Sequence, residues 1–194
     1  MRAMLVPLLG ALALTATLLP ALHADALCMA RPRLSPTHRE AQRAEHAGRY
    51  DDAAELYLRG GYRSRYLAAN MWQRAGDKAL LEGQFTNAAS RFQRTLTLQP
   101  GNPRASLALA RALSFASRPV QALRVLDALP EAWRNRAEAK AARSRALSLM
   151  GRRREAARWA AEALAAPLPE LDRRMLLQSG LGVRFTAPGT LGRL

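Results

Sequence analysis

Few side chains in this sequence have the type and spacing that metal binding or catalysis requires. Cys28 is the only cysteine, and the three histidines are His23, His38 and His46. One cysteine excludes an internal disulfide framework and a multi-cysteine zinc or iron–sulfur site. His38 and His46 stand eight residues apart, which is two helical turns rather than one, so a metal there would need further ligands from elsewhere. We therefore expect no metal and no cofactor.

Motifs of known catalytic chemistry are also missing from the sequence. It contains no phosphate-binding G-x-x-x-x-G-K, no dinucleotide-binding G-x-G-x-x-G, no zinc-binding H-E-x-x-H and no nucleophile-bearing G-x-S-x-G. A nucleophile with a neighbouring base cannot be proposed from these residues. The sequence therefore predicts a protein that is not an enzyme.

Positive charge is the chemical feature that stands out. The chain of 194 residues has 30 Lys and Arg against 15 Asp and Glu, a formal net charge of +15, and Lys78 and Lys140 are its only lysines. A GC-rich coding bias would produce the same excess of arginine and alanine. The alternative is functional, because a guanidinium group can hold a carboxylate through two parallel hydrogen bonds.

The first 26 residues have the pattern of a secretory signal peptide. Arg2 is followed by an apolar stretch over residues 3–22 and by Ala24-Asp25-Ala26, which places small residues where a signal peptidase cleaves. We expect residues 1–26 to be removed and the protein to be exported, to the periplasm. The alternative is an uncleaved anchor in the inner membrane, since about 18 apolar residues just span a bilayer.

A repeat follows a short basic linker at residues 27–33. Four segments align, at intervals of 35, 34 and 34 residues, and an apolar residue stands four positions after the last alanine of each. The segments are Gly48–Ala53, Gly83–Ala88, Ser117–Ala122 and Gly151–Ala156, followed by Tyr57, Phe92, Leu126 and Ala160.

This pattern resembles the tetratricopeptide repeat (TPR) family, in which units of 34 residues form helix-turn-helix pairs. The second unit matches it best, with Trp72-x2-Ala75-Gly76-x2-Ala79, then Ala88-x3-Phe92, then Pro100. The resemblance implies an all-α fold, a right-handed α-solenoid of about four TPR units. We expect the array and a C-terminal capping helix at 170–178 to fill residues 34–180, before a flexible tail at 181–194.

Small residues recur where the two helices of a unit should cross closely, and larger side chains should fill the space between units. The small residues are Ala41, Gly76, Ala110 and Ser144 in the first helices and Ala53, Ala88, Ala122 and Ala156 in the second; the larger ones include Trp72, Phe92, Leu109 and Leu126. The adjacent carboxylates Asp51 and Asp52 fall at the start of a second helix, where acidic side chains interact favourably with the helix terminus.

The resemblance also implies a binding surface, because the first helices of successive TPR units line a concave groove. It places Gln42 and Asp77 on this wall together with the residues that we expect to bind a partner, which are Arg39, Gln73, Arg74, Arg104, Leu107, Arg111 and Arg145. The lysine and asparagine set of the carboxylate-clamp chaperone members is not reproduced. We expect a basic groove that holds a segment carrying carboxylates, so that replacing Arg74 and Arg111 by Glu would abolish binding without changing the melting temperature.

These observations favour a non-catalytic adaptor or scaffold in the cell envelope, whose partner is an envelope assembly or secretion component. The alternative is an accessory module that contacts anionic cell wall or membrane through Arg152–Arg154 and Arg158. Nucleic-acid binding is suggested by net charge alone. It is disfavoured by the export signal and by the lack of interleaved aromatic residues for base stacking.

Overall fold

The computed structural model describes residues 35–61 and 64–179. The predicted signal peptide, linker and tail lie outside these residues. The described part contains ten α-helices and no strand. They are α1 (Pro36–His46), α2 (Tyr50–Arg59), α3 (Arg65–Leu81), α4 (Phe85–Leu98), α5 (Pro103–Phe115), α6 (Pro119–Asp127), α7 (Glu131–Arg134), α8 (Ala137–Leu149), α9 (Arg153–Leu164) and α10 (Glu170–Gln178).

Eight of these helices form four consecutive pairs, α1–α2, α3–α4, α5–α6 and α8–α9. Each helix packs against its partner, and α3, α5 and α8 also pack against the second helix of the preceding pair. The result is the right-handed solenoid of four helix-turn-helix units with a C-terminal capping helix, α10, that the sequence predicts. The sequence did not predict α7, a single turn of helix inserted between the third and fourth units.

The turn inside each unit has the same backbone conformation. The second residue after the first helix takes a left-handed φ, of 70° at Gly48, 75° at Gly83, 57° at Ser117 and 78° at Gly151. The following amide then donates back to a carbonyl five residues earlier, which satisfies an otherwise unpaired group at the helix end. These bonds are Arg49 N to Ala44 O, Gln84 N to Ala79 O, Arg118 N to Leu113 O and Arg152 N to Leu147 O. The predicted register of the four units is therefore confirmed.

Close helix crossings explain the small residues. All eight predicted crossing positions are buried. At Gly76 the approach is so close that a Cβ atom would lie 2.5 Å from Cε1 of the fully buried Phe92. At the crossing of the fourth unit, the Ser144 hydroxyl donates to the Ala156 carbonyl at 2.7 Å, which pairs its polar atom inside the core.

The larger residues fill the space between these crossings, as predicted. Trp72, Phe92, Leu109 and Leu126 are each at most 5% exposed. Within the ranges that the structure describes, no helix is both long and apolar enough to cross a bilayer. The apolar stretch over residues 3–22 lies outside those ranges.

Candidate functional site

A pocket of about 370 Å³ opens between the first helices α3 and α5 and the segment formed by α7 and the start of α8. We call it the concave pocket. Four of the seven predicted partner-binding residues line it, and Asp77 stands beside them. Its lining consists of Gln73, Asp77, Arg104, Leu107, Ala108, Arg111, Trp133, Arg136 and Glu138.

The α3 wall of the concave pocket presents an amide and a carboxylate. Gln73 and Asp77 lie one helical turn apart, and Nε2 of Gln73 donates to Oδ1 of Asp77 at 3.4 Å. Burial raises the pKa of the Asp77 carboxyl above its usual value, while Arg104 and Arg111 pull it down. The α3 wall therefore presents the partly desolvated carboxyl group of Asp77 to the guanidinium groups of α5.

Arg104, at the start of α5, is an exposed cation of the pocket. Asn102 caps α5 by accepting from the backbone amides of Arg104 and Ala105 at 3.1 and 3.2 Å, and Pro103 starts the helix. This cap fixes where the Arg104 side chain leaves the helix. The side chain is exposed and donates no hydrogen bond to any other residue of the described part. Leu107 is 6% exposed and forms the floor below it.

Arg111 is already occupied by a carboxylate from the capping helix. Nε of Arg111 donates to Oδ1 of Asp172 at 3.1 Å, and Nη2 donates to Oδ2. The side chains are only 17% and 2% exposed. Burial raises the pKa of Asp172, and Arg111 opposes that shift. Contrary to the sequence-based expectation, Arg111 is therefore not free for a partner.

Asp172 was missed because the sequence shows no link between residues 61 positions apart. One local signal does exist. Asp172 precedes Leu176 by four residues, so the two lie on one face of α10. Leu176 is 2% exposed and belongs to the core. A carboxylate on the buried face of a helix requires a partner, and arginine is the usual one.

The remaining wall was also missed, because the repeat pattern contains no equivalent of α7. Trp133 lies on α7, and the guanidinium carbon of Arg136 sits 4.6 Å from the centre of its indole ring. Nε of Arg136 is 3.8 Å from Oε2 of Glu138, at the start of α8. This segment gives the pocket an aromatic side and another cation with a nearby carboxylate.

The other three predicted residues lie outside the concave pocket. Arg74 donates to Glu45 at 2.6 Å and to the Tyr50 hydroxyl at 3.1 Å, joining the first two units. Arg145 is half-buried, donates to the Ser114 carbonyl at 3.1 Å, and has its pKa lowered by burial. Arg39 is exposed on α1.

The adjacent carboxylates Asp51 and Asp52 have structural partners. Asp51 accepts two hydrogen bonds from Nε of Arg91 and a third, at 2.6 Å, from Nη2, tying α2 to α4. Asp52 pairs with the preceding Arg49 at 3.2 Å. Among the residues described, no group of three or more His, Cys, Asp or Glu side chains is arranged to hold a metal ion.

Comparisons with known proteins identify the architecture. The tetratricopeptide repeat family matches residues 79–146. A solved structure, the crystal structure of the P58(IPK) TPR domain, superposes with a TM-score of 0.51 at 14% identity. The match covers 74% of this chain and 45% of that chain, so this chain spans less than half of the solved one. No curated protein matches the sequence. The four units in register, the family match over residues 79–146 and the shared fold together show that the described part of this chain has the tetratricopeptide-repeat fold.

Proposed function

We propose that this chain is a non-catalytic adaptor that binds a carboxylate-bearing segment of another protein in the concave pocket. The observation that carries the proposal is the bidentate capture of Asp172 by Arg111. It supports the idea that this wall suits carboxylates held by arginine. A partner segment would use the neighbouring Arg104, whose side chain donates no hydrogen bond to the described residues.

The other lining residues of the pocket determine which partner side chains can bind beside the carboxylate. Leu107 and Ala108 form an apolar floor, and Trp133 forms an aromatic side wall. Asp77 and Glu138 disfavour a second carboxylate close to either of them, since like charges repel in a partly desolvated site. The segment that fits best therefore carries one carboxylate next to an apolar or aromatic side chain.

The test compares two exposed arginines, one inside the pocket and one outside. The tagged full-length chain is crosslinked in its own cells, and its adducts are compared for Arg104→Gln and Arg154→Gln. Both changes remove one positive charge, and neither residue is buried. We expect Arg104→Gln to lose the partner adduct and Arg154→Gln to retain it.

The opposite result would replace this proposal by the surface alternative. Arg153, Arg154 and Arg158 are exposed, and their side chains donate no hydrogen bond to the described residues. Arg152 of the same run is paired with Glu155 at 2.7 Å. An adduct that needs Arg154 but not Arg104, or binding to anionic vesicles that needs Arg154, would favour cell-wall or membrane contact.

We further propose that the adaptor works in the cell envelope, with an assembly or secretion component as its partner. The support is the signal-peptide pattern of residues 1–26. N-terminal sequencing of the protein from its host should find Leu27 as the first residue. Recovery of the full 21.3 kDa chain from the membrane fraction would instead indicate an anchored protein.

A further inference from the structure

A second groove lies on the opposite side of the solenoid, between the second helices of units two and three. Helices α4 and α6 each pack against α5, and the space between them is floored by α5. Its volume is about 600 Å³, within the range of ligand-binding clefts. We call it the outer groove; it is lined by Thr86, Ala89, Ser90, Gln93, Arg94, Thr97, Leu109, Leu113, Arg118, Gln121, Arg124 and Val125.

The floor and the rim of the outer groove differ in chemistry. Leu109 and Leu113, one turn apart on α5, form the floor with Ala89 and Val125. The rim carries hydroxyl, amide and guanidinium groups from α4 and α6, and its Ser90, Gln93 and Gln121 are exposed. An apolar floor with polar donors along both edges suits an amphipathic ligand.

The charge of the outer groove has one sign. None of the lining residues is acidic. The side chains of Arg118 and Arg124 are exposed and donate no hydrogen bond to any described residue. Arg94 has a partner, Glu55, at 3.3 Å, and both of these side chains are about half exposed. Arg118 and Arg124 therefore present guanidinium groups that the described part of the chain leaves uncompensated.

The length of the groove indicates the size of its ligand. Its α4 edge runs from Thr86 to Thr97, which is about 17 Å at the rise of an α-helix. That length corresponds to about five extended residues or three helical turns of a bound segment. A single small metabolite would leave most of the edge uncovered, whereas a peptide segment would cover it.

We propose that the outer groove is a second docking surface, specific for an acidic amphipathic segment of a partner protein. Apolar side chains of the segment lie against Val125, which is partly exposed, and over Leu109 and Leu113, which are 4% and 6% exposed at the bottom of the groove. The carboxylates of the segment pair with Arg118 and Arg124. Charge complementarity carries the proposal, since the exposed arginines of the rim have no carboxylate in the lining. The docking is independent of the concave pocket, because the two surfaces share no lining residue.

The test uses a synthetic 15-residue helical peptide with leucines on one face and glutamates beside them. Fluorescence anisotropy measures its binding to the full-length chain. The groove variant is Arg118→Glu with Arg124→Glu, and the matched control is Arg153→Glu with Arg154→Glu. Both double variants change the net charge by the same amount at exposed positions, so the comparison separates docking from general attraction to a basic protein.

We expect the groove variant to weaken binding at least tenfold and the control variant to weaken it less than twofold. A peptide with its leucines replaced by serine should also bind at least tenfold more weakly. Equal losses in the two double variants, or no saturable binding up to millimolar peptide, would overturn the proposal. So would tight binding to phosphatidylglycerol vesicles that is lost only in the groove variant, since the surface would then serve a lipid.

Discussion

The concave pocket and the outer groove hold their arginines in opposite electrostatic environments. In the concave pocket, Arg111 is paired with Asp172, Arg136 lies 3.8 Å from Glu138, and Arg104 faces Asp77. In the outer groove, Arg118 and Arg124 have no carboxylate in the lining. Both surfaces contain three arginines, so the number of cations does not distinguish them. The position of the carboxylates does.

This difference shows why net charge is a poor guide to a binding surface. The sequence places arginines on the first helices and predicts a basic concave groove. Folding then brings carboxylates to them from distant positions, Glu45 to Arg74 over 29 residues and Asp172 to Arg111 over 61. Such pairs follow no short-range rule of spacing. Arg118 and Arg124 of the outer groove, in contrast, are exposed and have no carboxylate in the lining, and the sequence-based reasoning did not single them out.

Of the substitutions considered, removing the carboxylate of Asp172 should lower the free energy of unfolding the most. Asp172→Ala leaves Arg111, which is 17% exposed, without its partner and should lower the free energy of unfolding by about 3–5 kcal/mol. Urea denaturation measures it. Glu170→Ala is the control on the same helix, because its pair with Arg174 is exposed on both sides, and it should cost less than about 0.5 kcal/mol.

Substitutions of the outer-groove arginines should cost much less stability than Asp172→Ala. Arg118→Ala and Arg124→Ala remove exposed cations without a carboxylate partner in the groove and should alter stability by no more than about 0.5 kcal/mol each. A loss at Arg118 or Arg124 as large as that of Asp172→Ala would show that the outer arginines have structural partners. The electrostatic difference between the surfaces would then disappear.

The second unit supports both surfaces, so a clash inside it should disturb both. Gly76→Ala would place a Cβ 2.5 Å from Cε1 of Phe92, and overpacking of this kind costs about 1–3 kcal/mol. Thermal unfolding checks the loss. The clash predicts coupling, so Gly76→Ala should cost less in a Phe92→Leu background than in the parent chain. Equal costs in the two backgrounds would place the strain elsewhere.

The fold was predictable because its signals are local and repeated. A left-handed turn residue, a small residue at each crossing and an apolar residue one turn later recur every 34 or 35 residues. Even the departure at Ser117 keeps the backbone conformation of the glycines. The helix α7 breaks this period, and the sequence could not place it.

The site was predictable only where a side chain's position follows from its own helix. Gln73, Arg104 and Leu107 line the concave pocket as expected, since helical periodicity fixes the face that each residue occupies. Trp133 depends on the inserted turn α7, and Asp172 depends on how α10 docks. Helix docking is set by contacts between distant segments, which one sequence does not reveal.

The pH dependence of stability in the acidic range should reveal the buried carboxyl group of Asp77 in the concave pocket. Burial raises its pKa in the folded state, so the folded chain binds the proton more tightly than the unfolded chain does. The contribution of this group to stability therefore falls as pH rises from its unfolded pKa through its raised folded pKa. Asp77→Asn removes the buried charge and should raise the stability at pH 7 by no more than about 1 kcal/mol. It should also flatten the pH dependence in the acidic range; parallel melting profiles for parent and variant would contradict the desolvation of Asp77.

The smallest effect should come from the turn that presents Arg118 to the outer groove. Ser117 has a φ of 57°, a left-handed conformation that costs about 1–2 kcal/mol for a residue with a Cβ. Ser117→Gly relieves this strain, but glycine loses more backbone freedom on folding, by about 0.5–1 kcal/mol. The net result should be a stabilisation of about 0.5 kcal/mol, measured by thermal unfolding.

The reverse change in the second unit is the control for Ser117→Gly. Gly83 has a φ of 75°, and a Cβ there would meet nothing within 4 Å, so Gly83→Ala tests the strain without a steric clash. It should destabilise the chain by a similar amount, because alanine in this conformation is strained. Gly83→Ala is expected to destabilise the chain and Ser117→Gly to stabilise it. If both variants prove destabilising, then the Ser117 side chain stabilises its turn. The entrance to the outer groove would then differ from the other three turns in its interactions as well as in its sequence.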